Sequence, residues 1–274
     1  MIAVQALSPA ALPPLQRALG QARVAFAPHN RLADLAQQGS AKAMLPRVFG
    51  PPEVVFLNTS GGLTDGDHLR YQIDIAENCQ ITATTQTAER AYATRGDCAT
   101  ASVHASVGAG ARLDWLPQET ILFEDSHLTR STCIDLHGDA ACLLVESVVL
   151  GRHAMGETLA RARLSDRRVV TRDGRPIWME ALEITPEFLR CSNAALLGEA
   201  RAFAVIALIA PNAEDALPRL RAALTHPACH SAASGWDGKC IARILARDGW
   251  HMKQQIATAL SALRQTPLPR VWQM

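Results

Sequence analysis

A chain of 274 residues is long enough to bury a large core as one domain or two, and no linker divides this one. Its formal net charge of +1, from 27 basic and 26 acidic residues spread evenly, supplies no field for holding a polyanion, so nucleic acid is not an expected partner. No apolar run approaches a membrane span, no basic residue precedes Arg17 as a secretory leader would need, and the cysteines form no C-x-x-C pair; together these point to the cytoplasm.

The first informative stretch is "NTSGGLTDGD", residues 58–67, which follows the apolar run "VVFL". A phosphate cradle would lead from a strand into a helix. Here "HLRYQIDI" follows instead, with Leu69, Tyr71, Ile73 and Ile75 alternating with polar residues, which predicts a half-buried strand. The loop also lacks the Lys-Ser/Thr of a P-loop. A calcium loop counted from Asp65 would need a carboxylate where Ala76 stands. Gly61, Gly62 and Gly66 therefore read as structural turn positions with positive φ.

Beyond this loop a strand, a turn of small or polar residues and a second strand recur about every thirty residues. "DIAENCQITA", "SVGAGARLDW" and "DLHGDAACLL" mark three such units, each followed by an amide or carboxylate: Gln86, then Gln118 with Glu119, then Glu146. Units of this length stack because none buries its apolar face alone, so the expected fold is mainly β, with stacked, β-helix-like strands in a single domain over 1–274. "RRVVTRDGRPIWMEALEI" predicts a hairpin about Asp173-Gly174, and "ARAFAVIALIA" a fully buried strand. Two helices are expected near the C-terminus, over 213–224 and 251–265, separated by the strand "KCIARILA".

The one local metal-like spacing is "HPACH", where His226, Cys229 and His230 would share a helix face, although Pro227 favours a loop and makes them weak candidates. Glu119, Glu146 and Glu157 stand beside strongly apolar strand residues, where an unpaired charge is costly. One reading pairs them with Arg152, Arg90 or backbone donors. The other places them along a watered interior. A paired acid and base in a β-helical carbohydrate-active enzyme is a third possibility by residue type, and a plain structural scaffold a fourth.

"PEVVFLNTSGGLTDGD", "TTQTAERAY", "WLPQETILFEDSHL", "VESVVLGRHAMGE", "RDGRP" and "PLPRVWQM" together resemble the UreD (UreH) family of urease accessory proteins, from about residue 40 onward. The resemblance implies a non-enzymatic, β-helix-like chaperone that binds apo-urease on one side and UreF, with the GTPase UreG, on the other. It further implies no tightly bound cofactor, only Ni²⁺ in transit through the interior, for which Glu119, Glu146, Glu157 and Asp67 are the candidate carboxylates. Asp65 stands where the family usually has glycine, a change expected to be tolerable because aspartate accepts a left-handed backbone better than most residues. "HPACH" lies outside the family pattern.

Overall fold

The computed structural model describes residues 17–152, 155–191, 193 and 195–273, so His153 and Ala154 of the "GRHAMGE" stretch lie outside it. Seventeen strands run in chain order: β1 (Leu19–Ala27), β2 (Arg31–Gly39), β3 (Ala41–Met44), β4 (Glu53–Asn58), β5 (His68–Ile75), β6 (Gln80–Thr85), β7 (Glu89–Ala91), β8 (Ala99–Val107), β9 (Arg112–Leu116), β10 (Thr120–Leu122), β11 (His127–Leu136), β12 (Ala141–Leu150), β13 (Arg163–Arg172), β14 (Arg175–Ile184), β15 (Ala202–Ile209), β16 (Cys229–Trp236) and β17 (Lys239–Ala246). Helices α1 (Pro186–Leu189), α2 (Leu217–Ala223) and α3 (Gly249–Leu263) join them, with 3-10 turns at Ala213–Ala216 and Arg270–Trp272. The two longer helices are those expected near the C-terminus.

The strands form a 7-stranded sheet, β14-β13-β11-β8-β5-β1-β2, and a 10-stranded sheet containing β16-β17-β15-β12-β9-β6-β4-β3, with β7 and β10 to one side. The chain crosses from the first sheet to the second and back once per unit. Strands one unit apart pair in parallel: β1, β5, β8, β11 and β13 in the first sheet, and β4, β6, β9 and β12 in the second. This is the stacked-coil architecture that the thirty-residue recurrence predicts.

The turns that set the recurrence stack as well. Asn78, Gly110 and Gly138 all take positive φ, at 56°, 69° and 55°, a conformation that glycine and asparagine adopt at little cost. The Gly110 and Gly138 N–H groups donate to the Asp139 and Asp173 carboxylates of the following turns, at 2.7 and 3.0 Å. Asp173 and Gly174 form the tight turn between β13 and β14, with φ of 49° and 76°, as the "DG" signal predicts.

The main core lies between the two sheets, around Phe56, Ile73, Ile81, Leu113, Trp115, Ile134 and Leu144. A second core lies on the outer face of the 10-stranded sheet, where Leu143, Val145, Ile206 and Ile244 meet Met252, Ile256 and Leu260 of α3. Burial on both faces explains why β12 and β15 read as continuous apolar runs rather than as alternation. Asp248 caps α3 by accepting from the His251 N–H at 2.9 Å. The Asp248→Ala variant is expected to lose about 1 kcal/mol in urea denaturation, as typical N-cap removals do. The chain end is fixed by the Arg264–Asp114 ion pair and by the Trp272 indole N–H, which donates to the Leu116 carbonyl at 2.9 Å.

Candidate functional site

The interior positions of the first sheet change character along the stack. Leu69 of β5 is in register with Ala101 of β8, then Arg130 of β11, then Asp166 of β13, while Tyr71, Val103, Thr132 and Arg168 form the adjacent row. The stack is thus apolar at its early coils and charged at its later ones. Arg130 is 7% exposed, Asp166 1% and Arg168 2%, so each charge must be paired within the protein.

They are. The Arg130 guanidinium donates to both Asp166 oxygens, at 3.0 and 2.6 Å, and to the Thr120 hydroxyl at 2.9 Å, and lies 2.9 Å from Glu146 Oε2 on β12. Glu146 Oε1 accepts from the Thr132 hydroxyl at 2.7 Å and from the Trp115 indole at 3.2 Å. Arg168 pairs with Asp166 and with Glu180 of β14, and Arg243 of β17 reaches Glu180 from the surface at 2.7 Å. Acid and base therefore alternate from Glu146 in the core to Arg243 at the surface. Burial alone would push the Asp166 carboxyl up, but Arg130 and Arg168 outweigh it and hold the group below the usual carboxylate range. Sequence reasoning anticipated arginine pairing for Glu146 but named Arg152 or Arg90; the partner is Arg130.

The remaining carboxylates occupy separate environments. Glu119 is one residue out of phase with the inward-facing Gln118 and reaches Lys253 of α3 at 3.6 Å, so it does not share the interior of Glu146. Glu157 pairs with Arg152 at 2.9 Å, which holds its carboxyl below the usual range, and it also accepts from the Arg152 and Glu124 N–H groups. Asp67 is buried and accepts from the Ala18 and Thr64 N–H groups at 2.7 and 2.9 Å, closing the glycine-rich loop. That loop does pass from strand to strand, β4 to β5.

Gly61, Gly62 and Gly66 all have positive φ. Asp65 does not share that conformation; its carboxylate accepts from the Gly96 and Asp97 N–H groups at 3.2 and 2.8 Å, and this role, not tolerance of a left-handed backbone, accounts for an aspartate there. A Cβ at Gly62 would strike the Tyr92 ring and come within 2.8 Å of the Arg90 carbonyl, whereas one at Gly61 meets nothing within 4 Å. Gly62→Ala is therefore expected to cost about 2–3 kcal/mol and Gly61→Ala only about 1, the strain of positive φ, as read from urea midpoints.

The "HPACH" residues do not form a helix face. His226 lies in a turn, its ring 3.1 Å from Gln254 Oε1, while Cys229 and His230 begin strand β16, where consecutive side chains point to opposite faces. No group of three or more His, Cys, Asp or Glu side chains suited to a metal ion occurs among the described residues.

Two small spaces adjoin the early end of the ionic chain. An inner cavity of ≈ 60 Å³ is lined by Tyr71, Trp115, Gln118, Arg130, Thr132 and Glu146, among others. An outer pocket of ≈ 80 Å³ lies against Asn58, Gly61 and Arg90. Tyr71, Thr85 and Glu89 line both. Glu89 accepts from the Asn58 amide at 3.3–3.4 Å and from the Arg90 N–H at 3.1 Å, yet makes no ion pair among the described residues. Part of its side chain remains accessible, but protein atoms enclose the carboxylate, and this burial pushes its pKa up to about 7 against those hydrogen bonds. Burial also raises the Tyr71 phenol, with the nearby Glu89 charge adding to it.

These features define a class: a stacked-coil β protein with a helical buttress, a buried chain of alternating charges and a small polar interior. Comparison with known proteins narrows it. The model of the UreD urease accessory protein family matches residues 18–273, extending the resemblance back through β1 and β2. The urease accessory protein UreD of Cereibacter sphaeroides is 56% identical over 94% of this chain and 96% of its own length. That of Paracoccus denitrificans is 51% identical over 95% and 94%, and that of Rhizobium leguminosarum bv. viciae 38% identical over 94% and 96%. The chain belongs to the UreD family.

Proposed function

We propose that this chain is a non-enzymatic chaperone of urease maturation, joining apo-urease to UreF and, through UreF, to the GTPase UreG. Nickel, its cargo and not a resident cofactor, passes on this reading through the polar interior toward the urease active site, and the work takes place in the cytoplasm. Membership of a family of urease accessory proteins is the observation that carries the proposal. One feature of the chain supports it. The inner cavity has room for water beside Thr85, Gln118 and Glu89, and oxygen groups of this kind hold a cation loosely. Glu119, Glu157 and Asp67 would act at most at the margins of such a path, since each is engaged in a local contact outside that cavity.

The test is complementation. A urease gene cluster lacking its own copy of this gene is co-expressed with the chain in nickel medium. The expected result is nickel-containing, active urease, with the chain co-purifying with apo-urease and a UreF-type protein. Failure of both rescue and co-purification would reject the proposal. The purified chain is also expected to show no saturable GTP binding, since the loop after β4 enters a strand rather than a helix.

A further inference from the structure

Every carboxylate that the sequence singles out for the interior is held by a partner of its own: Glu146 by Arg130, Glu119 by Lys253, Glu157 by Arg152, and Asp67 by two backbone N–H groups. Glu89 accepts from the Asn58 amide and the Arg90 N–H and feels the Arg90 charge, but it makes no ion pair among the described residues. It is also the one carboxylate that lines both the outer pocket and the inner cavity. We propose that Glu89 is the group that takes a divalent cation at the junction of these two spaces, Ni²⁺ on the reading above, on which this inference rests.

Three observations carry it. The strand pairing that holds β7 beside β10 sets Glu89 in register with Thr120, so the carboxylate lies at the rim of the cavity that Thr120 and Glu146 line. The neighbouring oxygens, the Thr85 hydroxyl and the Tyr71 phenol, suit a cation that keeps part of its water, while the Asn58 amide nitrogen donates to Glu89 and its carbonyl faces Ser60. Finally, Gln118 is 4% exposed, lines the inner cavity, and its amide nitrogen has no partner among the described residues. A buried amide without a partner is a costly feature that a water-bearing ligand would relieve, because rotation of the amide presents either its N–H or its carbonyl. The facing charge of Arg130 is balanced by Glu146 and Asp166, so it does not bar a cation from the rim.

The experiment measures Ni²⁺ binding by equilibrium dialysis to the full-length protein, to Glu89→Gln and to the exposed-surface control Glu187→Gln, with thermal melting as the fold control. Urease activation is followed in the complementation system. Glu89→Gln is expected to melt no lower than wild type, to bind Ni²⁺ about tenfold more weakly, and to slow activation while still co-purifying with apo-urease. Glu89→Asp, which keeps the charge, is expected to restore part of the binding and serves in place of the glutamine variant should that fail to fold. Wild-type Ni²⁺ affinity in Glu89→Gln, or in both variants, would overturn the assignment of Glu89. A wild-type chain that fails to support activation at all would instead overturn the chaperone reading, so the two failures are distinct.

Discussion

Asp166→Asn is expected to destabilise the protein by about 3–5 kcal/mol, the usual cost of removing one partner from a buried ionic arrangement. The reason lies in the order of charges along the chain. Asp166 stands between Arg130 and Arg168 and hydrogen-bonds both, so asparagine would leave two buried guanidinium groups facing a neutral amide that has one acceptor oxygen. Glu146→Gln is milder, because Arg130 keeps both bonds to Asp166. The same geometry sets an acid limit. A carboxyl held below its unfolded pKa contributes stability that is present above that unfolded value, near 3.9, and lost as the pH falls through the folded one. Wild type should therefore lose stability below about pH 4, and Asp166→Asn, lacking the group, should show a flatter acid limb. Urea denaturation at neutral and acid pH measures both effects; a loss under 1 kcal/mol at pH 7 would show that the two arginines find other partners.

This ionic chain was only half legible in the sequence. In "HLTRSTCIDL" the residues Leu128, Ile134 and Leu136 share one phase of the alternation, and Arg130 and Thr132 fall on that same inward phase. The signal for a buried arginine was thus present, but its partner lies 36 residues away in the next coil, and no local pattern names it. The recurrent turns were legible because Asn78, Gly110 and Gly138 need a backbone that few residues adopt, and the β13–β14 hairpin because Asp-Gly specifies its turn. Strands β1 and β2 were not. The nine residues of β2 are exposed on both faces, and "RLADLAQQG" carries no clean apolar period. Glu89 escaped because β7 has three residues, too few to show a phase, and because the enclosure of its carboxylate comes from neighbours in other coils. The carboxylates that attracted notice did so for their apolar sequence neighbours, a feature that marks burial without saying whether a base lies opposite.

For Glu89→Gln the expected result is a gain in stability that depends on pH. The wild-type carboxyl has a pKa of about 7 in the folded protein against an ordinary 4.5. A group raised in this way contributes stability fully below the unfolded value, and that stability is lost as the pH rises through the folded one. Wild type should accordingly weaken between about pH 4.5 and 7 and then level off, whereas glutamine, which fills nearly the same volume and does not ionise, should show no such fall. The difference at pH 8 is expected to be about 2 kcal/mol in favour of the variant, reduced from the full shift because part of the side chain meets solvent, and near zero at pH 4. Denaturation curves for the two proteins that stay parallel from pH 4 to 8 would show that the carboxylate is solvated as an ordinary surface group. A natural residue that destabilises its own fold at neutral pH has a compensating use if a cation binds it, because any ligand that prefers the folded state adds stability in proportion to the logarithm of its concentration above Kd. Ni²⁺ added at pH 8 should then raise the wild-type transition and leave that of Glu89→Gln in place.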